Sequence, residues 1–224
     1  MTAGRHDRAW AAALITTGVL ATMITACSPD PEPTASSGPV ASASTSVDPQ
    51  DPVAPKSPSL GITQASAPGT PTEVFDGLTV TLPPTAREDT AYTPQGSAPG
   101  RAFRLSPDGA NLPAVEVVAP GVTTGSLAAV SWTDESVMLA DPSITDVRRS
   151  VESWPGATEA VAMSWTQEVA TAPEPVSLDA FVLWLRDAAG QTYKISAYVP
   201  TGTLAGSEAY AIVLSSQLDG EAPA

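Results

Sequence analysis

Between residues 73 and 218, apolar and polar positions alternate in short runs, and the runs predict an antiparallel sheet carrying helices. Leu78, Val80 and Leu82 alternate with Thr79 and Thr81, a strand that Pro83-Pro84 closes. Residues 85–100 are polar and turn-rich. Residues 101–105 and 112–119 read as two further strands, separated by a Pro107-Asp108-Gly109 turn. Residues 126–140 predict a helix with Ser126 as N-cap. Leu127, Val130, Val137 and Met138 fall near one face at a period of 3.6, with Trp132 off that face.

Residues 144–154 predict a strand that ends in a Pro155-Gly156 turn. Another follows over 159–169, with Val161, Met163 and Trp165 on one side and Ala160, Ala162, Ser164 and Thr166 on the other. Residues 178–187 and 191–199 flank Ala188-Ala189-Gly190 as a hairpin. In its first arm Phe181, Leu183 and Leu185 oppose Val182 and Trp184. A strand apolar on both sides is covered on both sides, so this arm belongs at the centre of a sheet. Over 204–218, Leu204, Ala211, Leu214 and Leu218 lie near helical spacing and predict a closing helix packed on the sheet. The expected domain, 73–218, is α+β: three strands, a helix, a four-strand antiparallel run and a helix. Residues 219–224 are expected to be a disordered tail.

The stretch before it is different. Residues 28–72 hold ten prolines and nine serines, with no aromatic residue and no apolar period. Such a segment buries too little apolar surface to offset its ordering entropy. Residues 27–72 are therefore expected to form a disordered, partly polyproline-like stalk. Extended at ~3.1 Å per residue, it would reach on the order of 140 Å. Its Thr/Ser/Pro mix also suits O-linked sugars, and a bare spacer is an equal alternative.

Residues 1–26 read as a secretory signal: a basic start with Arg5 and Arg8, then a thirteen-residue apolar run over 11–23. That run is too short for a transmembrane helix, which needs about 20 residues. It ends in Ile24-Thr25-Ala26-Cys27, which holds the single cysteine of the chain. These four residues resemble a bacterial lipobox. The resemblance implies that the Cys27 thiol carries a diacylglyceryl group, that cleavage follows Ala26, and that the membrane is a partner through this lipid. Two or three acyl chains on one residue would hold the protein stably, whereas one alone anchors marginally. The expected location is the outer face of the cell membrane. An unmodified thiol behind an ordinary signal is the alternative.

Charge narrows the partners. Without residues 1–26 the chain keeps 8 basic and 23 acidic residues, a net charge of −15. This argues against nucleic acid and against anionic headgroups as charge partners. The scarcity of Lys and Asn, with abundant Ala, Pro, Thr and Gly, suggests a high-GC, actinobacterial-type source. The mature chain has no histidine, because His6 lies in the signal. That removes Ser-His-Asp and Cys-His catalysis and His- or Cys-based metal sites. Nucleotide, phosphate-loop and serine-elbow motifs are absent. No cofactor, metal or catalytic residue is expected.

A few residues remain to be weighed. Asp134-Glu135 reads as a solvated helix face rather than a glycosidase pair. Glu168, Glu174 and Asp179 border a Pro-rich loop, where a calcium site is the minor reading. Arg148 and Arg149 alternate across a strand; ion pairing with carboxylates is the plain reading and contact with an anionic ligand the sharper one. Trp165 and Trp184 are expected in the core. Trp132 and Trp154 are candidates for the rim of a pocket or an interface.

The Gly-Leu-Thr-Val-Thr-Leu-Pro-Pro opening, the mid-chain helix and meander, and the closing Ala-Ile-Val-Leu-Ser-Ser-Gln-Leu together resemble the PsbP-like domains, including LpqN-type lipoproteins of actinobacteria. The resemblance spans residues 74–218 and implies an antiparallel sheet sandwiched between helices, an α-β-α sandwich. Pro84-Thr85 stands where many members carry Gly-Trp. Because such domains serve mostly as binding and assembly factors, it implies a monomeric, non-catalytic binding module for an envelope protein or a small ligand. A carrier of an apolar ligand such as a glycolipid, similar in role to LprG- or LppX-type lipoproteins, is the alternative. An enzyme working through carboxylates alone comes third.

Overall fold

The computed structural model describes residues 53–94, 96–106, 110–170 and 175–219. The signal segment and lipobox lie outside them. The strands are β1 (Thr70–Phe75), β2 (Leu78–Leu82), β3 (Arg87–Glu88), β4 (Gly100–Arg104), β5 (Ala114–Val122), β6 (Ile144–Glu152), β7 (Glu159–Val169), β8 (Val176–Arg186), β9 (Gln191–Pro200) and β10 (Gln217–Leu218). The helices are α1 (Leu127–Ala140), between β5 and β6, and α2 (Glu208–Leu214), between β9 and β10. The fold is α+β, as the alternation predicts.

Seven strands form one antiparallel sheet in the order β3-β4-β5-β9-β8-β7-β6. The β8–β9 hairpin lies inside it, and its two-sided apolar pattern follows from that place. Phe181, Leu183 and Leu185 join Val115, Val117, Ile195 and Ala197 on one face, all buried. Val182 and Trp184 join Val161, Met163 and Trp165 on the other. Burying side chains of this size contributes roughly 1.5–3 kcal/mol each. Helix α2 closes the first face and α1 the second.

Three short strands build a second antiparallel sheet, β1-β2-β10, whose Val74, Leu78, Val80 and Leu218 pack into the α2-side core. Here the closing segment departs from expectation. The helix stops at Leu214 because Ser215 and Ser216 turn their hydroxyls back onto the carbonyls of Ile212 and Val213. The Thr81 amide then donates to Ser215 Oγ at 2.8 Å, and Leu218 pairs with Leu78 as a strand.

Residues 53–69, expected within the stalk, run along the domain instead. Ala54 and Ile62 are buried, and Leu60 packs on the core. The Leu60 amide donates to Glu152 Oε1 at 2.7 Å, Gln64 Nε2 to the Ser216 carbonyl at 2.6 Å, and the Ala65 amide to the Leu214 carbonyl at 2.9 Å. Prolines and serines leave little side chain to bury, but their backbone still finds partners along an existing edge. The packed unit therefore begins nearer Val53 than Glu73.

Candidate functional site

Helix α1 begins where expected. Ser126 Oγ accepts from the Ala129 amide at 3.2 Å, and the Leu127 amide donates to Glu159 Oε2 at 2.6 Å. Glu159 also pairs with Arg186. A carboxylate at a helix N-terminus is favoured by the macrodipole. The facing of the helix is not the expected one. Its buried stripe is Leu127, Ser131 and Met138, whereas Val137 is exposed and Val130 only half-buried.

The reason lies in the sheet beneath. Arg149 on β6 shares a face with Met163 and Trp165, and its side chain is fully buried. A buried guanidinium needs acceptors on every side. Arg149 Nε meets Glu135 Oε2 at 2.7 Å. Nη1 donates to the Ala128 carbonyl at 2.8 Å and to Ser131 Oγ at 3.0 Å. Nη2 reaches back to the Val53 carbonyl at 2.9 Å. The Ser57 amide donates to the Arg149 carbonyl at 3.3 Å, and the Arg149 amide to Ser57 Oγ at 3.2 Å. One side chain thus ties α1, the β6 edge and the N-terminal segment together.

Three strands in from β6, Lys194 on β9 places Nζ 2.6 Å from Asp134 Oδ2 and 5.2 Å from the centre of the Trp184 ring. Asp134 and Glu135 are therefore not a solvated face. Neighbours in sequence, they diverge about 100° around the helix, Asp134 to Lys194 on β9 and Glu135 to Arg149 on β6. Next along the sheet, Glu116 on β5 is hydrogen-bonded by Tyr92 and Tyr198 and faces Lys194. Burial pushes its carboxyl above the usual range, while Lys194 and the two phenols pull the other way. Burial and the Glu116 charge raise both phenols as well, Tyr198 most strongly. The result is a hydrogen-bonded, charge-paired cluster that joins α1, β5, β9 and the segment carrying Tyr92. Charged groups take this form when they hold elements together.

The residues singled out in the sequence do not converge. Trp154 is buried at 4 % exposure, and its indole N–H donates to the Ser216 carbonyl at 3.1 Å. It is a core residue, not a rim residue. Arg148 is exposed on the opposite face of β6 from Arg149. Arg149 is sealed from solvent and holds the protein's own groups, so it is not open to an anionic ligand. Trp165 and Trp184 are in the core as expected. Cys27, with Ile24, Thr25 and Ala26, lies outside the described residues, as does Glu174.

Trp132 is exposed. It lies on the outer side of α1 with Val137 and Leu139. Sequence reasoning missed this surface because it assigned Val137 to the core. The signal was present: α1 carries only two charged residues, Asp134 and Glu135, and they adjoin. A shallow cavity of about 160 Å³ lies elsewhere, lined by Pro68, Pro83, Ser207, Glu208, Ala211 and Ile212. Among the described residues no group of three or more His, Cys, Asp or Glu side chains is placed to hold a metal ion. No described helix is long and apolar enough to cross a membrane.

No family model and no curated protein matches the chain. Solved structures similar to it include the Saccharomyces cerevisiae Ran-binding protein Mog1p, at 12 % identity and a TM-score of 0.43, covering 68 % of this chain and 96 % of that one. A mutant of Mog1 is similar at 12 % identity and a TM-score of 0.40, covering 66 % of this chain and 95 % of that one.

Proposed function

We propose that this chain is a lipid-anchored protein of the outer face of the cell membrane, displaying a PsbP-like, non-catalytic binding module. The observation that carries the module reading is the packing of the large sheet. Side chains fill both of its faces: Val115, Val117, Ile195 and Ala197 under α2, and Met163, Val182 and Trp184 under α1, each at most 2 % exposed. A sheet so filled suits recognition by its outer surface better than enclosure of an acyl chain. The anchor reading rests on the lipobox at 24–27 and on the basic start and short apolar run that precede it.

Growth with labelled palmitate tests the anchor. Label should enter the protein, and Cys27→Ala should abolish incorporation and release the chain from the membrane fraction. A wild-type chain that takes up no label and is recovered in the medium with a free thiol would refute the anchor.

A further inference from the structure

A surface helix normally turns its apolar stripe inward and its charges to water. Helix α1 follows this only in part: Leu127 and Met138 are buried, but its charges do not face water. Its two charged residues pair inward with Lys194 and Arg149. Its solvent side shows Trp132, Thr133, Val137, Leu139 and Ala140, all exposed, with the half-buried Ser136 among them; all six are uncharged, on a chain of net charge −14. Three of the large apolar side chains exposed among the described residues are here, at 39 % for Trp132, 37 % for Val137 and 67 % for Leu139. Apolar residues gathered on one uncharged face mark a contact surface rather than ordinary solvent-facing helix.

The C-terminal end of α1 shows what should cover it. No basic residue occupies the last turn, so no side-chain cation of the helix offsets the negative end of its dipole. The C-cap is Asp141, exposed, and held below the usual carboxylate range by the Ser143 hydroxyl and amide. Asp146 is also exposed, at a φ of 55° where β6 bulges against β7. Neither carboxylate has an ion-pair partner among the described residues. An apolar strip followed in the chain by two exposed carboxylates without ion-pair partners among the described residues complements an apolar groove with cations at one end.

We propose that the outer face of α1 docks another protein, one whose surface offers an apolar groove with Lys or Arg where it meets Asp141 and Asp146. This rests on the binding-module reading above. A second copy of the chain fits poorly. It would bring the same acidic end and the same net charge. The outer strip of a helix about 21 Å long also falls well short of the roughly 800 Å² per partner of a stable interface. A groove that wraps the helix covers more of it, as in helix-in-groove recognition. Anionic lipid is repelled by the same carboxylates.

The test is site-specific photocrosslinking in cells with the full, anchored chain. A benzophenone side chain replaces Ser136 or Leu139 on the outer face, and Arg148 or Glu208 as controls elsewhere. The proposal expects one discrete protein adduct from positions 136 and 139 and none from 148 or 208. The crosslinked partner peptide should be apolar and flanked by Lys or Arg. Asp141→Asn with Asp146→Asn, which keep the Ser143 bonds and tolerate the positive φ, should cut the adduct several-fold without lowering the melting temperature. An unchanged yield in that variant overturns the cationic end. An adduct of twice the chain mass, or one with lipid alone, overturns the proposed occupant. Protein adducts from 148 or 208 only overturn the α1 face but leave the binding module standing. No protein adduct from any position overturns both.

Discussion

The Arg149 guanidinium lies 2.7 Å from the Glu135 carboxylate, with the Arg149 side chain wholly buried and that of Glu135 18 % exposed. This pair decides which way α1 faces. A buried charge left alone costs far more than its paired form, so the helix turns Glu135 and Ser131 inward and leaves Val137 outside. Arg149→Ala is expected to destabilise the domain by about 3–5 kcal/mol, the usual cost of breaking a buried pair. Arg149→Lys should recover little of it, because one ammonium cannot reach Glu135, Ala128, Ser131 and Val53 together. Urea denaturation of the three proteins checks this.

The neighbouring pair should behave differently. Lys194 and Asp134 are 28 % and 31 % exposed, so solvent screens their contact. Asp134→Asn is expected to cost no more than about 1 kcal/mol, and the loss should shrink in high salt. Denaturation midpoints at low and high ionic strength measure it.

Glu116 gives the domain a pH dependence whose sign is fixed. Its folded carboxyl binds a proton more tightly than in the unfolded chain. Its contribution is therefore complete below the ordinary carboxylate range and is lost as pH rises through the raised folded value. Glu116→Gln should flatten this limb, gaining stability relative to the parent as pH rises. Urea midpoints across pH 4–8 compare the two proteins, and parallel curves would mean that Glu116 carries no such dependence.

The segment ahead of β1 is structural. Chain 70–224, lacking the contacts of Leu60, Ile62, Gln64 and Ala65, should melt well below chain 53–224. It should also bind a hydrophobic dye, since Ile62 covers part of the core that holds Trp154. Calorimetry and dye fluorescence read the two effects.

At the junction into β1, Gly69 has a φ of 143°, and a Cβ there would sit 2.2 Å from the Leu82 carbonyl oxygen. Backbone cannot give way as a flexible side chain can. Gly69→Ala is expected to cost about 2 kcal/mol or more, as strained-backbone substitutions do, and thermal melting measures the shift.

The meander from β6 to β9 was legible in the sequence because alternation has a period of two and Pro155-Gly156 and Ala188-Ala189-Gly190 mark its turns. The start of α1 was legible from Ser126. Its facing was not, because the deciding charge sits on β6, fourteen residues from Glu135, and only the fold brings them together. Trp154 was misplaced for a like reason: the acceptor for its indole N–H is Ser216, 62 residues away. The segment 53–69 has a composition that argues for disorder, yet its backbone pairs with an edge already built by others. Composition carries no record of such an edge. The Glu116 cluster draws on β5, β9, α1 and a loop, and no spacing within one element announces it.

A filled module and a carrier of an apolar ligand differ in what they hold, and native mass spectrometry of the chain from Val53 to Ala224, purified from its host without denaturation, tells them apart. The predicted spectrum is a single species at the polypeptide mass. A co-purified mass that is lost into organic solvent would contradict the filled module and make the protein a carrier of an apolar ligand.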